Sequence, residues 1–184
     1  MRRSAALILS LLPFVLFVPE VFGQAKPLAL SSNKIVINGA VKSSDYSFSQ
    51  TYDELTLYVN RTSSVLDVAV VADTTGWVAV GLGSLTMDGA TIFIGFMGLD
   101  GKVSFKPQAG SGHSHHDVGA DVRATIISFA IKETAGKTTM QLALRPAAYI
   151  KPGQSILPII FAFGTRKSFL PLHAFHGALS LPLA

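Results

Sequence analysis

The chain of 184 residues contains no cysteine. Without thiols it cannot form disulfides, zinc sites with thiolate ligands, iron–sulfur clusters, a cysteine nucleophile or a thioether link to a cofactor. Any metal or cofactor must therefore be held non-covalently by other side chains. Because no disulfide can contribute, the stability of the fold must come from its apolar core.

Charged residues are scarce as well, at 14% of the chain, and the net charge is only +4. No cluster of lysine and arginine with interleaved aromatic residues occurs, so we expect no binding to nucleic acid. Several enzyme motifs are also missing, among them the Gly-x-Ser-x-Gly nucleophile turn and the His-Glu-x-x-His metallopeptidase helix. We therefore expect that the protein is not an enzyme.

An apolar run opens the chain directly after Arg2 and Arg3. It covers residues 5–18 and has the composition of a cleaved export signal, which we place at residues 1–23. Two prolines and a glutamate interrupt the run before it reaches the roughly 20 apolar residues of a membrane span. We expect a periplasmic or secreted protein with no membrane span after cleavage. Asn60-Arg61-Thr62 fits an N-glycosylation acceptor for hosts that modify secreted proteins.

The remaining sequence consists of an N-terminal segment, residues 24–33, and one domain, residues 34–184. Apolar and polar side chains alternate from Thr138 to Leu144, as in a half-buried strand, and Asp100-Gly101 predicts a hairpin turn. The predicted strands are residues 35–38, 51–60, 65–72, 77–83, 90–97, 102–105, 125–131, 137–144, 157–163 and 178–183. No segment keeps a helical period. About ten short strands therefore indicate an all-β fold, an antiparallel β-sandwich.

Three predicted loops stand out, residues 84–89, 106–121 and 164–177, because loops on a rigid β scaffold often carry function. The first presents Met87 between two strands that contain glycine. A methionine at a loop tip is poorly placed for the core, although most methionines fill core gaps. Met87 is therefore a candidate ligand whose role depends on a second ligand.

The third loop carries the candidates for that second ligand, His173 and His176, which follow a phenylalanine-rich strand. Histidine with methionine is a known axial pair for haem iron. Arg166 and Lys167 lie near enough in sequence to pair with acidic groups of a cofactor. The alternative is that the imidazoles are packing residues and the basic pair forms a solvated turn. Spacing alone leaves both interpretations open, since only the fold could bring Met87 to the histidines.

The second loop holds a histidine cluster, Gly112-His113-Ser114-His115-His116-Asp117. Three imidazoles and a carboxylate at this spacing could bind zinc, copper or nickel. In an extended segment His113 and His115 would point one way and His116 the other, so a local site would require a turn. The alternative is a solvent-exposed, glycine-rich loop.

The order of several motifs resembles that of the DOMON family. The motifs are Gly76-Trp77-Val-Ala-Val-Gly81, Met87-Asp-Gly-Ala90, the strand Phe93-Ile-Gly-Phe96 with Asp100-Gly101, and Phe161-Ala-Phe-Gly164 leading to His173. The resemblance spans residues 35–183 and is to the b-type cytochrome members, such as the haem domain of cellobiose dehydrogenase.

This resemblance implies an immunoglobulin-like β-sandwich that binds haem b non-covalently, with Met87 and His173 as axial ligands and His176 as the alternative to His173. The predicted cofactor-binding residues are Met87, His173, Trp77, Phe93, Phe161, Arg166 and Lys167. The implied partner is a redox protein, either a membrane cytochrome or an oxidoreductase. Other DOMON members bind sugars, so the alternatives are a non-haem module for a sugar or other small molecule, or an interaction domain with a histidine-rich metal-binding loop.

Overall fold

The computed structural model describes residues 26–170 and 172–184. The predicted export signal lies outside these residues. The described residues form eleven strands, one short helix and two single 3₁₀ turns. The strands are β1 Phe48–Tyr52, β2 Leu55–Arg61, β3 Leu66–Ala72, β4 Val78–Leu82, β5 Thr91–Met97, β6 Val103–Ser111, β7 Ser114–Asp117, β8 Ile126–Thr134, β9 Lys137–Leu144, β10 Ile156–Phe163 and β11 Phe175–Pro182; the helix is α1 Ala120–Arg123. Within this part of the chain, no helix has both the length and the apolar character needed to cross a membrane.

The strands form two antiparallel sheets. One has the order β1-β2-β3-β9-β8, and the other has the order β11-β10-β4-β5-β6-β7. The two sheets pack face to face around a single large apolar core. The predicted all-β, antiparallel β-sandwich is confirmed.

The core lies between the sheets because side chains alternate across each strand. In β10, Leu157, Ile159, Phe161 and Phe163 point inward and are buried, whereas the residues between them are more exposed. The six-stranded sheet departs from the usual pattern of one apolar and one solvated face. All five residues of β4 are buried, and its outward side chains belong to a second apolar cluster. Met87 and Phe169 pack against this outer cluster, and the candidate site lies on this face of the sheet.

The predicted strand at residues 35–38 is wrong. Residues 31–47 instead cross the outer face of the five-stranded sheet without joining it. The Gln141 side-chain oxygen accepts hydrogen bonds from the backbone N–H groups of Asn38 and Gly39, at 3.0 and 2.7 Å. A side chain thus satisfies backbone donors that a neighbouring strand would otherwise satisfy. Upstream, Leu28 pairs with Leu183 and is buried in the main core.

Several strand boundaries also differ from the prediction. The last strand begins at Phe175, so His176 lies in a strand and not in the predicted loop. Residues 51–60 belong to two strands, because the chain turns at Asp53, whose φ is +48°. The predicted loop at residues 106–121 is largely a hairpin, since β6 runs on to Ser111 and β7 begins at Ser114. All four residues of β7 are exposed at the sheet edge, so this strand leaves no apolar periodicity in the sequence.

The glycosylation acceptor predicted at Asn60 is not accessible in the folded protein. Asn60 is fully buried, its amide nitrogen donates to the Asn33 carbonyl and to Asp67 Oδ2, and its oxygen accepts a 2.6 Å bond from the Ser47 hydroxyl. Burial also raises the pKa of Asp67 to about 6, against the lowering effect of its hydrogen bond with Asn60. This polar group therefore belongs to the packing beneath residues 31–47.

Candidate functional site

A cavity of about 740 Å³ lies on the outer face of the six-stranded sheet. Its floor is formed by outward side chains of β4, β5, β10 and β11, several of which are very small. The small floor residues are Ala79, Gly81, Ala162 and Ala178. Ala162 pairs with Ala79 across the sheet, and Ile160 pairs with both Gly81 and Ala178. Small side chains in adjacent strands leave a flat floor that a planar ligand can approach closely.

Met87 lines the cavity from the loop between β4 and β5. The loop is held against the β6–β7 hairpin by three hydrogen bonds. Gly89 N donates to Gly110 O at 3.2 Å, Gly110 N donates to Ala90 O at 2.9 Å, and Gly112 N donates to Asp88 Oδ1 at 2.9 Å. The predicted loop methionine is therefore fixed by the neighbouring hairpin, and not by its own loop alone.

Gly110 is a glycine because of this contact. A Cβ atom at position 110 would lie 1.7 Å from the carbonyl oxygen of Met87 and 3.2 Å from its Cγ. No side chain fits such a gap, so position 110 accepts only glycine while Met87 stays in place. Gly110 could not be recognised from the sequence, because its only signal is an isolated glycine in a segment predicted to be a loop.

His173 and His176 line the same cavity, at the start of the last strand. Their ring centroids are 4.3 Å apart and their planes are inclined by 47°. Partial burial, together with the neighbouring His176, lowers the pKa of His173 below its ordinary value of 6.5. A lowered pKa favours neutral imidazole, which is the metal-binding form. The fold thus brings Met87 and both candidate histidines to one cavity.

The predicted aromatic residues divide between the cavity and the core. Trp77 lines the cavity and is buried, and its indole N–H has no hydrogen-bond partner among the described residues. Phe93 and Phe161 both point away from the cavity, into the core between the sheets. The Phe161 ring packs there on Tyr52, with ring centroids 4.5 Å apart. Phe169 also lines the cavity and packs on Phe96 with ring centroids 4.8 Å apart.

The predicted basic pair, Arg166 and Lys167, does not line the cavity. Lys167 forms an ion pair with Glu133, and both side chains are mostly buried. The basic residues are therefore placed away from any ligand bound on the cavity floor.

The histidine cluster is split by the strand it belongs to. His113, Ser114 and His115 line the cavity, whereas His116 does not. Within residues 26–170 and 172–184, no group of three histidine, aspartate or glutamate side chains is placed to hold a metal ion. The three imidazoles therefore do not converge, and two of them join the wall of the larger cavity.

Comparisons with known proteins bear on the fold. No protein-family model matches the chain, and no curated protein matches its sequence. Among solved structures, the chain is similar to the cytochrome b domain of pyranose dehydrogenase from Coprinopsis cinerea, with a TM-score of 0.54 and 11% identity over 71% of this chain and 77% of that one. The cytochrome domain of cellobiose dehydrogenase from Myriococcum thermophilum gives 0.53 and 11% over 71% and 75%.

A family 9 carbohydrate binding module from Caldicellulosiruptor kristjanssonii, in complex with cellotriose, has a lower TM-score of 0.48, with 11% identity over 83% of each chain. At these identities the likeness extends to the fold alone. The chain therefore has a fold similar to that of the two cytochrome domains.

Proposed function

We propose that this protein is an exported DOMON domain that binds haem b non-covalently and transfers electrons to or from a redox partner. The observation that carries the proposal is the meeting of Met87 with His173 and His176 at one cavity. Met87 lies far from the two histidines in the sequence.

The residues at the cavity fit a haem group. The cavity volume falls within the roughly 300–1,000 Å³ of ordinary cofactor pockets. Its small floor residues admit a flat ring, its aromatic walls are apolar, and a thioether and an imidazole are established axial ligands of haem iron. Met87 and His173 are the proposed ligands, with His176 as the alternative. Trp77 and Phe169, which line the cavity, would pack against the ring.

Haem bound in this way supplies reversible one-electron chemistry at a potential raised by the methionine ligand. With Met87 and His173 as its ligands, the haem iron would have no open coordination position, so electron transfer would be favoured over chemistry at the iron. Leu170 and Leu172 are almost fully exposed at the cavity rim. A membrane cytochrome or an oxidoreductase would approach the haem at this open side.

Absorption spectroscopy of the purified protein titrated with haem tests this function. We expect the spectrum of six-coordinate, low-spin haem. Met87→Leu removes the sulfur at nearly constant volume, and His173→Gln removes the imidazole, so each should abolish that spectrum. His116→Gln is the matched control, because His116 does not line the cavity.

The outcomes separate the remaining alternatives. Loss of the low-spin spectrum in His176→Gln but not in His173→Gln would reassign the ligand. A protein that binds no haem but protects Trp77 fluorescence against a quencher when a sugar is added would instead be a DOMON module for small ligands.

A further inference from the structure

The cavity has one polar wall, formed by the β6–β7 hairpin. Gly112 and His113 make the two-residue turn, and His113, Ser114 and His115 face the cavity. The floor and the remaining walls are mostly apolar. The Ser114 hydroxyl donates to the Ser111 carbonyl at 3.1 Å, so its hydrogen is used within the turn. Two imidazoles are thus the main polar groups on this side.

A haem molecule carries two carboxylates at one edge, and carboxylates in a partly buried site need hydrogen-bond donors. The basic residues expected to supply them are elsewhere, since Lys167 is paired with Glu133 and Arg166 does not line the cavity. Lys106 has its ammonium 4.9 Å from the centre of the ring of Phe169, a cavity residue, but does not itself line the cavity. No lysine or arginine of the described residues lines the cavity, so the imidazoles of the hairpin are the candidate partners for these carboxylates.

The hairpin is well placed for this role because it is attached to the Met87 loop. Gly110 lies opposite His115 in the β6–β7 ladder, and a Cβ at Gly110 would be 3.2 Å from Met87 Cγ. Gly110 therefore lies next to both Met87, on the loop, and His115, on β7. The bond from Gly112 N to Asp88 Oδ1 holds the turn against the loop and occupies that carboxylate oxygen. Asp117 lies on the same face of β7 but does not line the cavity.

We propose that His113 and His115 bind the two carboxylates of the haem and so fix the rotation of the ring about its axial bonds. This inference rests on the proposed haem function. His116 follows His115 in the sequence but lies on the other face of β7, so it does not bind the carboxylates.

The experiment compares haem with its dimethyl ester, in which both carboxylates are capped, by titration of the purified protein. We expect the unmodified protein to bind haem about a hundredfold more tightly than the ester, the effect of two charge-assisted hydrogen bonds of about tenfold each. The double variant His113→Ala/His115→Ala should bind both forms with the affinity that the unmodified protein has for the ester. The variant His113→Gln/His115→Gln keeps N–H donors and should keep most of the preference, and His116→Ala should keep all of it.

Four results would overturn the inference. The first is equal binding of haem and ester by the unmodified protein, and the second is an equal loss of affinity for both forms in the double alanine variant. The third is loss of the low-spin spectrum in that double variant. The fourth is that Lys106→Met, and not the double variant, loses the preference for haem over the ester. Thermal unfolding without haem shows whether the exposed hairpin still folds in each variant. Failure of the unmodified protein to bind either form would instead refute the haem function itself.

Discussion

Replacing Gly110 with alanine should displace Met87 from the cavity while leaving the sandwich folded. The added Cβ would lie 1.7 Å from the Met87 carbonyl oxygen and 2.7 Å from its carbonyl carbon, which no relaxation of a side chain can relieve. Since both groups belong to backbone, the loop of residues 84–89 must move away from β6. Because that loop lies at the surface, it can move without disrupting the core.

The loss of folding stability in Gly110→Ala follows from the hydrogen bonds that this movement breaks. Two backbone hydrogen bonds join Gly110 to Gly89 and Ala90, at 3.2 and 2.9 Å. Each contributes about 1 kcal/mol net, so the free energy of unfolding should fall by about 2 kcal/mol. Overpacking of a rigid site costs about 1–3 kcal/mol, which is the same range.

Urea unfolding and haem titration measure the two effects separately. Gly101→Ala is a suitable control, because Gly101 has a φ of +76° but a Cβ there meets nothing within 4 Å. That variant should lose about 1 kcal/mol to backbone strain and keep the haem spectrum. If Gly110→Ala is as stable as the unmodified protein to within about 0.5 kcal/mol and keeps the low-spin spectrum, the hairpin does not position Met87 and the reasoning is refuted.

Three further predictions concern the two faces of the sandwich. Burial raises the pKa of Asp67 from 3.8 to about 6, so the folded protein favours the protonated carboxyl. The free energy of unfolding should therefore be highest below pH 4 and should fall by up to about 3 kcal/mol as the pH rises through 6. Urea unfolding at a series of pH values should show this fall in the unmodified protein and not in Asp67→Asn. Phe93→Leu should lower stability by about 1–3 kcal/mol without changing haem affinity, whereas Phe169→Leu should weaken haem binding with little loss of stability; calorimetry and haem titration distinguish these outcomes. Gln141→Ala leaves two backbone donors without an acceptor and should cost about 1–3 kcal/mol, with faster proteolysis of residues 31–47; unchanged proteolysis would contradict the role given to Gln141.

Much of the fold was predictable because its signals are local. The alternation in β9 depends only on which residues neighbour each other in the chain, and Asp100-Gly101 carries its turn preference in its own backbone. Strands with weak signals were missed for the same reason. β7 is exposed on every residue and therefore has no apolar period. Residues 35–38 have strand-forming side chains but belong to no sheet, and the backbone N–H of Asn38 donates to the Gln141 side chain instead.

For the candidate site, too, the sequence determined some features and the tertiary structure determined the others. The sequence by itself determined which residue types are available: no thiol, a methionine at a loop, and histidines near the last strand and in one glycine-rich segment. Only the tertiary structure decided that Met87, His173 and His176 share a cavity, that Phe93 and Lys167 point elsewhere, and that His113 and His115 complete its polar wall. The physical reason is that the face on which a side chain lies follows from local periodicity, whereas the elements that meet there follow from strand order, which depends on contacts between residues distant in the chain.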